Sequence, residues 1–162
     1  MTQPDVHPLC LPLAPLFGSW QGTGHGEFPT IDSFGYVEDL MFSSVPGKPV
    51  VVMAQRTQLL ADGSPSHAET GYLRPQTDGT IELVVAQPSG VLESLVGSAT
   101  PTDDGVAIDL ESVGILLSPT AKSVTATHRR ITVVGDGLDS DLSMAAVGLD
   151  MTHHLHAELR RT

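Results

Sequence analysis

Three histidines crowd into a strand-like segment near the end of the chain, and they are the side chains best suited to chemistry. In an extended strand alternate residues share a face, which would place His154, His156 and Glu158 together. The opposite face would then carry His153, Leu155, Ala157 and Leu159. A solvated outer face, a zinc site and a single imidazole bound to haem iron are all compatible with this pattern. The zinc site lacks a fourth ligand, and the residues alone leave the three interpretations open.

The rest of the chain contains no other recognisable set of catalytic residues. No serine stands in a Gly-x-Ser-x-Gly elbow, and the absence of a Cys-x-x-Cys-His motif excludes a covalently attached haem. Cys10 lies in a proline-rich terminus that we expect to be mobile, so its thiol is interpreted as incidental. Asp103 and Asp104 fall in a turn-like stretch, where aspartate is an ordinary residue.

Two short segments could assist a ligand. Thr30 follows a proline kink, and Lys122, one of only two lysines, follows a Ser-Pro-Thr turn. Both are ordinary turn residues if nothing binds nearby. If the mouth of a barrel held an anionic ligand, these two side chains would be natural partners for its carboxylates.

A glycine-rich strand near the N-terminus has one bare face. Gly22, Gly24 and Gly26 alternate, so a close neighbour is expected on that side: another backbone, a tight barrel corner or a flat ligand. A phosphate-binding loop is disfavoured, because Pro29 would stop the helix that must follow such a loop. Trp20 lies on the same face, and we predict that it plugs one end of a barrel.

The elements that must position these residues are short strands. Extended segments recur at intervals of roughly 8–12 residues, separated by Asp-Gly and Ser-Gly turns. This spacing predicts an all-β fold of about ten antiparallel strands, which must either close into a barrel or fold into a sandwich. We favour a closed barrel, similar to the lipocalins and fatty-acid-binding proteins, because the connections are short hairpins. Such a barrel has room for one small ligand. Residues 1–17 contain four prolines and are expected to form an irregular or briefly helical lead-in.

The length, charge and composition of the chain disfavour several classes of function. A chain of 162 residues favours a single domain over residues 1–162, and no run approaches the ~20 apolar residues of a membrane span. The formal net charge of −11 disfavours binding to nucleic acid. One cysteine forms no internal disulfide, and no signal peptide is recognisable. We therefore expect a cytoplasmic protein without a nucleic-acid or membrane partner.

Several motifs resemble those of a known family. The pattern Gly18-x-Trp20-x-Gly22-x-Gly24, continued by Gly26-x-Phe28-Pro29-Thr30-Ile31, is similar to the signature of the nitrobindins, once described as resembling fatty-acid-binding proteins. Residues 66–74, 119–122 and the pair His154-Leu155 look like further family segments in the family's order. The resemblance spans nearly the whole chain, although Phe28 stands where many members carry tyrosine.

The resemblance implies a ten-stranded antiparallel barrel that binds one haem b non-covalently. Carried over to this chain, His154 would be the axial ligand of a ferric iron, with Lys122 and Thr30 as further haem contacts. The other face would be apolar and open, without a distal histidine. Because strand alternation groups His154 with polar residues, the resemblance also requires a β-bulge near the barrel rim.

The same resemblance implies an activity and its ligands. The family is described as isomerising peroxynitrite to nitrate and as binding nitric oxide. Sensing or storage of nitric oxide is an alternative role for the same haem. A lipid or fatty-acid carrier without catalytic activity is the alternative that needs no haem. For the oligomeric state, a homodimer is possible.

Overall fold

Ten antiparallel strands close into one barrel in the computed structural model, which describes residues 5–162. Each strand pairs with its neighbours in chain order, and the first strand closes onto the last. The elements are a 3₁₀ helix (Pro8–Leu16) and strands β1 (Gly18–Phe28), β2 (Ile31–Ser44), β3 (Val51–Leu59), β4 (Pro65–Pro75), β5 (Thr80–Ala86), β6 (Val91–Thr102), β7 (Gly105–Leu117), β8 (Val124–Val134), β9 (Gly137–Ala146) and β10 (Thr152–Arg161). The predicted all-β barrel with a partly helical lead-in is confirmed. Residues 1–4 of that lead-in lie outside the described residues.

Alternation of apolar and polar residues explains why these segments form strands. In β7, for example, Val106, Ile108 and Leu110 are buried while the residues between them are less so. One face of each strand therefore supplies the barrel core, and the other faces water. β7 continues past this regular stretch to Leu117, and its second half alternates less clearly.

The lead-in closes one end of the barrel. Cys10, Leu13 and Leu16 of the 3₁₀ helix are fully buried beside Trp20, whose indole N–H donates to the Leu16 carbonyl at 2.7 Å. The Arg161 guanidinium lies 4.1 Å from the centre of the Trp20 ring. Trp20 thus plugs this end as predicted. The expected mobile terminus at Cys10 is wrong, because the helix packs into the core, where burial raises the pKa of the thiol.

The bare face of the glycine strand is filled by neighbouring protein. A β-carbon on Gly22 would lie 2.0 Å from the Glu158 carbonyl oxygen of β10. One on Gly24 would lie 2.2 Å from the Tyr36 ring, and one on Gly26 would lie 2.2 Å from the Phe34 ring. The glycines therefore admit one backbone and two aromatic rings, and those rings in turn line the barrel interior.

The opposite end of the barrel is its mouth. Five connections meet there: residues 29–30, 60–64, 87–90, 118–123 and 147–151. No helix among residues 5–162 is long and apolar enough to span a membrane.

Candidate functional site

A cavity of about 770 Å³ occupies the mouth half of the barrel. That volume lies within the ordinary range for cofactor and small-molecule sites. Its walls are mainly apolar, with polar groups at the rim and floor. The lining residues are Phe28, Thr30, Ile31, Phe34, Tyr36, Thr57, Ser66, His67, Gln87, Ser89, Val91, Thr120, Lys122, Val124, Thr127, Leu142, Met144, Ala146, Val147, His154 and Leu155. The three predicted haem contacts, His154, Lys122 and Thr30, are thus brought to one cavity.

His154 reaches the cavity because β10 bulges. The pairing of β10 with β9 shifts between His153 and Leu155, so His154 is an extra residue without a partner on β9. Such a bulge rotates the strand and lets His154 and Leu155 both line the cavity. The grouping of His154 with His156 and Glu158, predicted from simple alternation, is wrong for this reason.

One nitrogen of His154 is committed to the protein and the other is free to bind. Its Nδ1 lies 2.9 Å from the Glu27 backbone carbonyl oxygen. A carbonyl can only accept, so Nδ1 carries the proton and Nε2 keeps its lone pair. Burial lowers the pKa of His154, and the bond to Glu27 opposes this only in part, so the ring is neutral at neutral pH. Phe28 packs edge-on against the ring at 5.7 Å, which fixes its plane.

The neighbouring histidines face outward. His153 lies 3.3 Å from both Glu27 and Asp141, and it is exposed. His156 contacts Asp141 at 2.9 Å, and the Asp141 carboxylate raises the pKa of this imidazole. Their orientation leaves His154 as the imidazole of this segment that lines the cavity.

The predicted zinc grouping is divided by the barrel wall. His156 and Glu158 lie outside, where Asp139 joins them with ligand atoms within 4.8 Å of one another. His154 lies on the other side of the sheet and does not join them. Asp139 and Glu158 are exposed and His156 is half-buried, and His156 also contacts the Asp141 carboxylate at 2.9 Å.

The two predicted polar contacts lie at the rim. Thr30 belongs to the turn between β1 and β2, and Lys122 to the connection between β7 and β8. Both are exposed. Lys122 brings a positive charge to a rim that otherwise offers hydroxyl groups from Thr30, Thr120 and Ser89.

Beneath the cavity-lining residues His67, Gln87 and Thr127 lies a buried charge network, the cavity floor, that was not predicted from the sequence. Arg129 donates two hydrogen bonds to Glu69, at 2.7 and 2.8 Å, and a third to Glu93. Gln87 bridges the two carboxylates, at 3.1 Å to Glu69 and 2.9 Å to Glu93, and Thr127 also donates to Glu93. Glu69 and Glu93 are 4% and 3% exposed, which is unusual for carboxylates.

Burial raises the pKa of the carboxyl groups in this region, whereas pairing with Arg129 lowers it. Burial disfavours the charge of Glu69, but Arg129 and the hydrogen bond from His67 outweigh it and lower its pKa to about 2. Burial likewise opposes the charge of Arg129, and the two carboxylates raise its pKa. Glu38 has only a 2.9 Å bond from Gln55, so burial raises its pKa to about 7.

A sequence signal for this network existed. Glu38, Glu69 and Glu93 each occupy an inward position of an alternating strand: Glu38 lies between the buried Tyr36 and Leu40, for instance. A carboxylate in such a position must be paired or neutral. Its partner, Arg129, lies on a distant strand, so alternation alone could not identify it.

Comparisons with known proteins find relatives over nearly the whole chain. A model of the family described as THAP4-like, heme-binding beta-barrel domain matches residues 9–161. Peroxynitrite isomerase 2 of Mycobacterium marinum is 50% identical over 157 residues, which cover 97% of each chain. Peroxynitrite isomerase of Nocardia farcinica is 49% identical over 162 residues, covering 98% of this chain and 95% of that one. The crystal structure of Rv2717c from M. tuberculosis superposes with a TM-score of 0.93 at 44% identity, covering 98% of this chain and 99% of that one.

Proposed function

Because the chain belongs to the family of THAP4-like, heme-binding β-barrel domains, we propose that it is a ferric haem b protein that isomerises peroxynitrite to nitrate. The nitrobindin resemblance seen in the sequence is confirmed by this membership and by the relatives named peroxynitrite isomerase. Residues 1–162 would form one domain that binds one haem without a covalent bond.

The observation that carries the proposal is the environment of His154. Its neutral ring lines a cavity of about 770 Å³, and the Glu27 carbonyl holds Nδ1–H so that Nε2 remains available. Ligating histidines in metal sites are oriented by a hydrogen bond of this kind from the second nitrogen. Neutral imidazole is also the form that binds a metal, and burial favours it here. His154 is therefore our candidate for the axial ligand.

The remaining lining fits a flat, mainly apolar group with acidic substituents. Apolar and aromatic side chains such as Phe34, Leu142 and Met144 form the walls. Lys122 and Thr30 stand at the rim, where the carboxylates of a haem b would reach solvent. The charged rim and apolar walls together would orient the group with its acidic edge outward.

When bound, a ferric haem with one protein ligand would supply a Lewis-acid site at which peroxynitrite rearranges without net redox change. The protein's own tasks are then few. His154 presents a neutral nitrogen, Phe28 holds the imidazole plane, and the apolar walls limit access of water. A coordination position left free by the single protein ligand would serve nitric oxide as well, either in sensing or in storage.

Hemin titration followed by visible absorption tests the ligand assignment. We expect the wild-type protein to give a sharp Soret band with one equivalent of hemin, and His154→Ala to lose it. His153→Ala is the matched control, because this neighbouring imidazole faces outward, and it should behave like wild type. Lys122→Ala should weaken hemin binding about two- to fivefold, as expected for an exposed charge contact. An unchanged spectrum in His154→Ala would refute the assignment.

A lipid or fatty-acid carrier is the alternative, and the cavity floor disfavours it. Such a carrier needs an available cation for the buried carboxylate of its ligand. Arg129 is the buried cation near this cavity, and Glu69 and Glu93 already neutralise it. A carrier would retain lipid during purification and would be indifferent to His154→Ala. A cytoplasmic location and a homodimer stay predictions.

A further inference from the structure

A second imidazole shares the cavity with His154. His67 lies on β4 at an inward position, and its side chain is 28% exposed. β4 is four strands away from β10 around a ring of ten, so His67 approaches the cavity from nearly the opposite wall. An imidazole at this wall differs from the apolar face without a distal histidine that the family resemblance implied. The proposed function so far does not use this residue.

The protonation of His67 follows from its partner. Its Nε2 lies 3.0 Å from Oε1 of Glu69, whose pKa of about 2 keeps that carboxylate ionised. An ionised carboxylate only accepts, so Nε2 carries a proton. In the neutral ring Nδ1 then holds the lone pair, and within residues 5–162 it has no hydrogen-bond partner. The His67 backbone N–H donates to the Thr57 hydroxyl at 2.9 Å, which secures the strand beneath the ring.

The partner carboxylate is held rigidly. Two guanidinium nitrogens of Arg129 grip both oxygens of Glu69, and Gln87 adds a third donor. A carboxylate fixed in this way orients an imidazole and stabilises the imidazolium that forms when the ring gains a proton. Buried, strongly coupled charges next to a ligand cavity are typical of functional sites, and this network directly contacts the cavity-lining His67 and Gln87.

We propose that His67 is the proton-accepting and anion-binding residue of this cavity, with Glu69 as its positioning residue. The inference rests on the proposed function and deepens it. Peroxynitrous acid would give its O–H proton to Nδ1 of His67, and the resulting N–H would hold the peroxynitrite anion. Nitrate is the anion of a strong acid, so it leaves without that proton, which His67 returns to water. The step balances without any oxidant or reductant.

Other charged and titratable groups surround His67. They are Tyr36 and Glu38 on β2, Glu69 on β4, Glu93 on β6, Arg129 on β8, His154 on β10 and Lys122 in the connection before β8. Among them Glu38 is the rival proton acceptor, because burial raises its pKa to about 7. Any test must therefore separate His67 from Glu38.

Fluoride binding to the hemin-loaded protein provides that test. Optical titration gives the dissociation constant between about pH 5.5 and 8.5, and a pH indicator in weak buffer gives the protons taken up per fluoride. We expect wild-type protein to take up close to one proton per fluoride at the upper end, with affinity falling up to tenfold per pH unit. His67→Leu should retain its Soret band, lose the uptake and bind fluoride roughly ten- to hundredfold more weakly at the lower end.

Two further variants identify the residue that takes up the proton when fluoride binds. His67→Gln keeps an amide donor, so it should recover part of the affinity but none of the proton uptake. Glu38→Gln should leave the uptake unchanged. Proton uptake that survives in His67→Leu, or that disappears in Glu38→Gln, would overturn the proposal. So would a wild-type spectrum showing two imidazole ligands that reverts to one in His67→Leu.

A measurement without hemin tests the tautomer of His67 independently of the proposed haem function. Nitrogen NMR of the His67 ring should show the tautomer protonated at Nε2 at high pH, whether or not the protein binds haem. A ring protonated at Nδ1 instead would refute the proposal directly. Loss of hemin binding in His154→Ala together with the expected His67 tautomer would support both proposals.

Discussion

Replacing Gly22 by alanine should damage the seam at which the barrel closes. Gly22 on β1 pairs with Leu159 on β10. A β-carbon at this position would lie 2.0 Å from the Glu158 carbonyl oxygen and 2.8 Å from Leu159 Cα. Both atoms belong to the backbone, so no side-chain rotation can relieve the contact.

The expected loss of stability follows from that distance. The β-carbon and the carbonyl oxygen would be about 1.4 Å closer than the 3.4 Å at which ordinary contact begins. Moving β1 and β10 apart by this amount would lengthen adjacent backbone hydrogen bonds beyond their useful range. Each lost bond costs about 1 kcal/mol, and overpacking itself costs about 1–3 kcal/mol. We therefore expect Gly22→Ala to lower the free energy of unfolding by ~3 kcal/mol or more.

Urea and thermal unfolding, followed by circular dichroism, measure this change. For a chain of this size, ~3 kcal/mol corresponds to a decrease in Tm of about 6–12 °C. Gly114→Ala is the matched control, since Gly114 lies in β7 and a β-carbon there meets nothing within 4 Å. That variant should stay within about 0.5 kcal/mol of wild type. Equal stability of the two variants would refute the reasoning that the glycine strand exists to admit β10.

Two predictions concern the cavity floor. Arg129→Met leaves Glu69 and Glu93 buried without their cation, so it should lower the free energy of unfolding in urea by about 3–5 kcal/mol. Arg130 is exposed, so Arg130→Met should lower it by at most ~1 kcal/mol. Similar decreases in the two variants would contradict the role given to the Arg129 network. Burial raises the pKa of Glu38 from 4.5 to about 7, so the unfolded chain ionises first and wild-type stability falls as pH rises through that interval. Glu38→Gln should therefore match wild type near pH 4 and exceed it by ~3 kcal/mol above pH 7, and a pH-independent difference would disprove this assignment.

The alternation of apolar and polar residues along short segments was sufficient to predict the barrel architecture. Segments such as Val106, Ile108 and Leu110 have the period of two that a half-buried strand requires, and short turns between them favour antiparallel neighbours. The second half of β7 lacks this regular pattern, because Val113 is an unpaired residue between Ser112 and Gly114 and breaks the alternation. The buried position of Cys10 escaped prediction, since proline-rich sequence does not reveal that a helix will cover the barrel end.

The sequence by itself determined the inward faces of the strands, the clearance provided by Gly22 and the family motifs around Trp20 and His154. These are local properties, because residue period and side-chain size do not depend on distant partners. The family resemblance implied a bulge, but only the tertiary structure located it between His153 and Leu155, where it turns His154 into the cavity while His156 stays outside. The tertiary structure also decided which cation would neutralise the inward carboxylates, bringing Arg129 to Glu69 from 60 residues away. Bulges and buried ion pairs depend on the register between strands, which exists only after the barrel has closed.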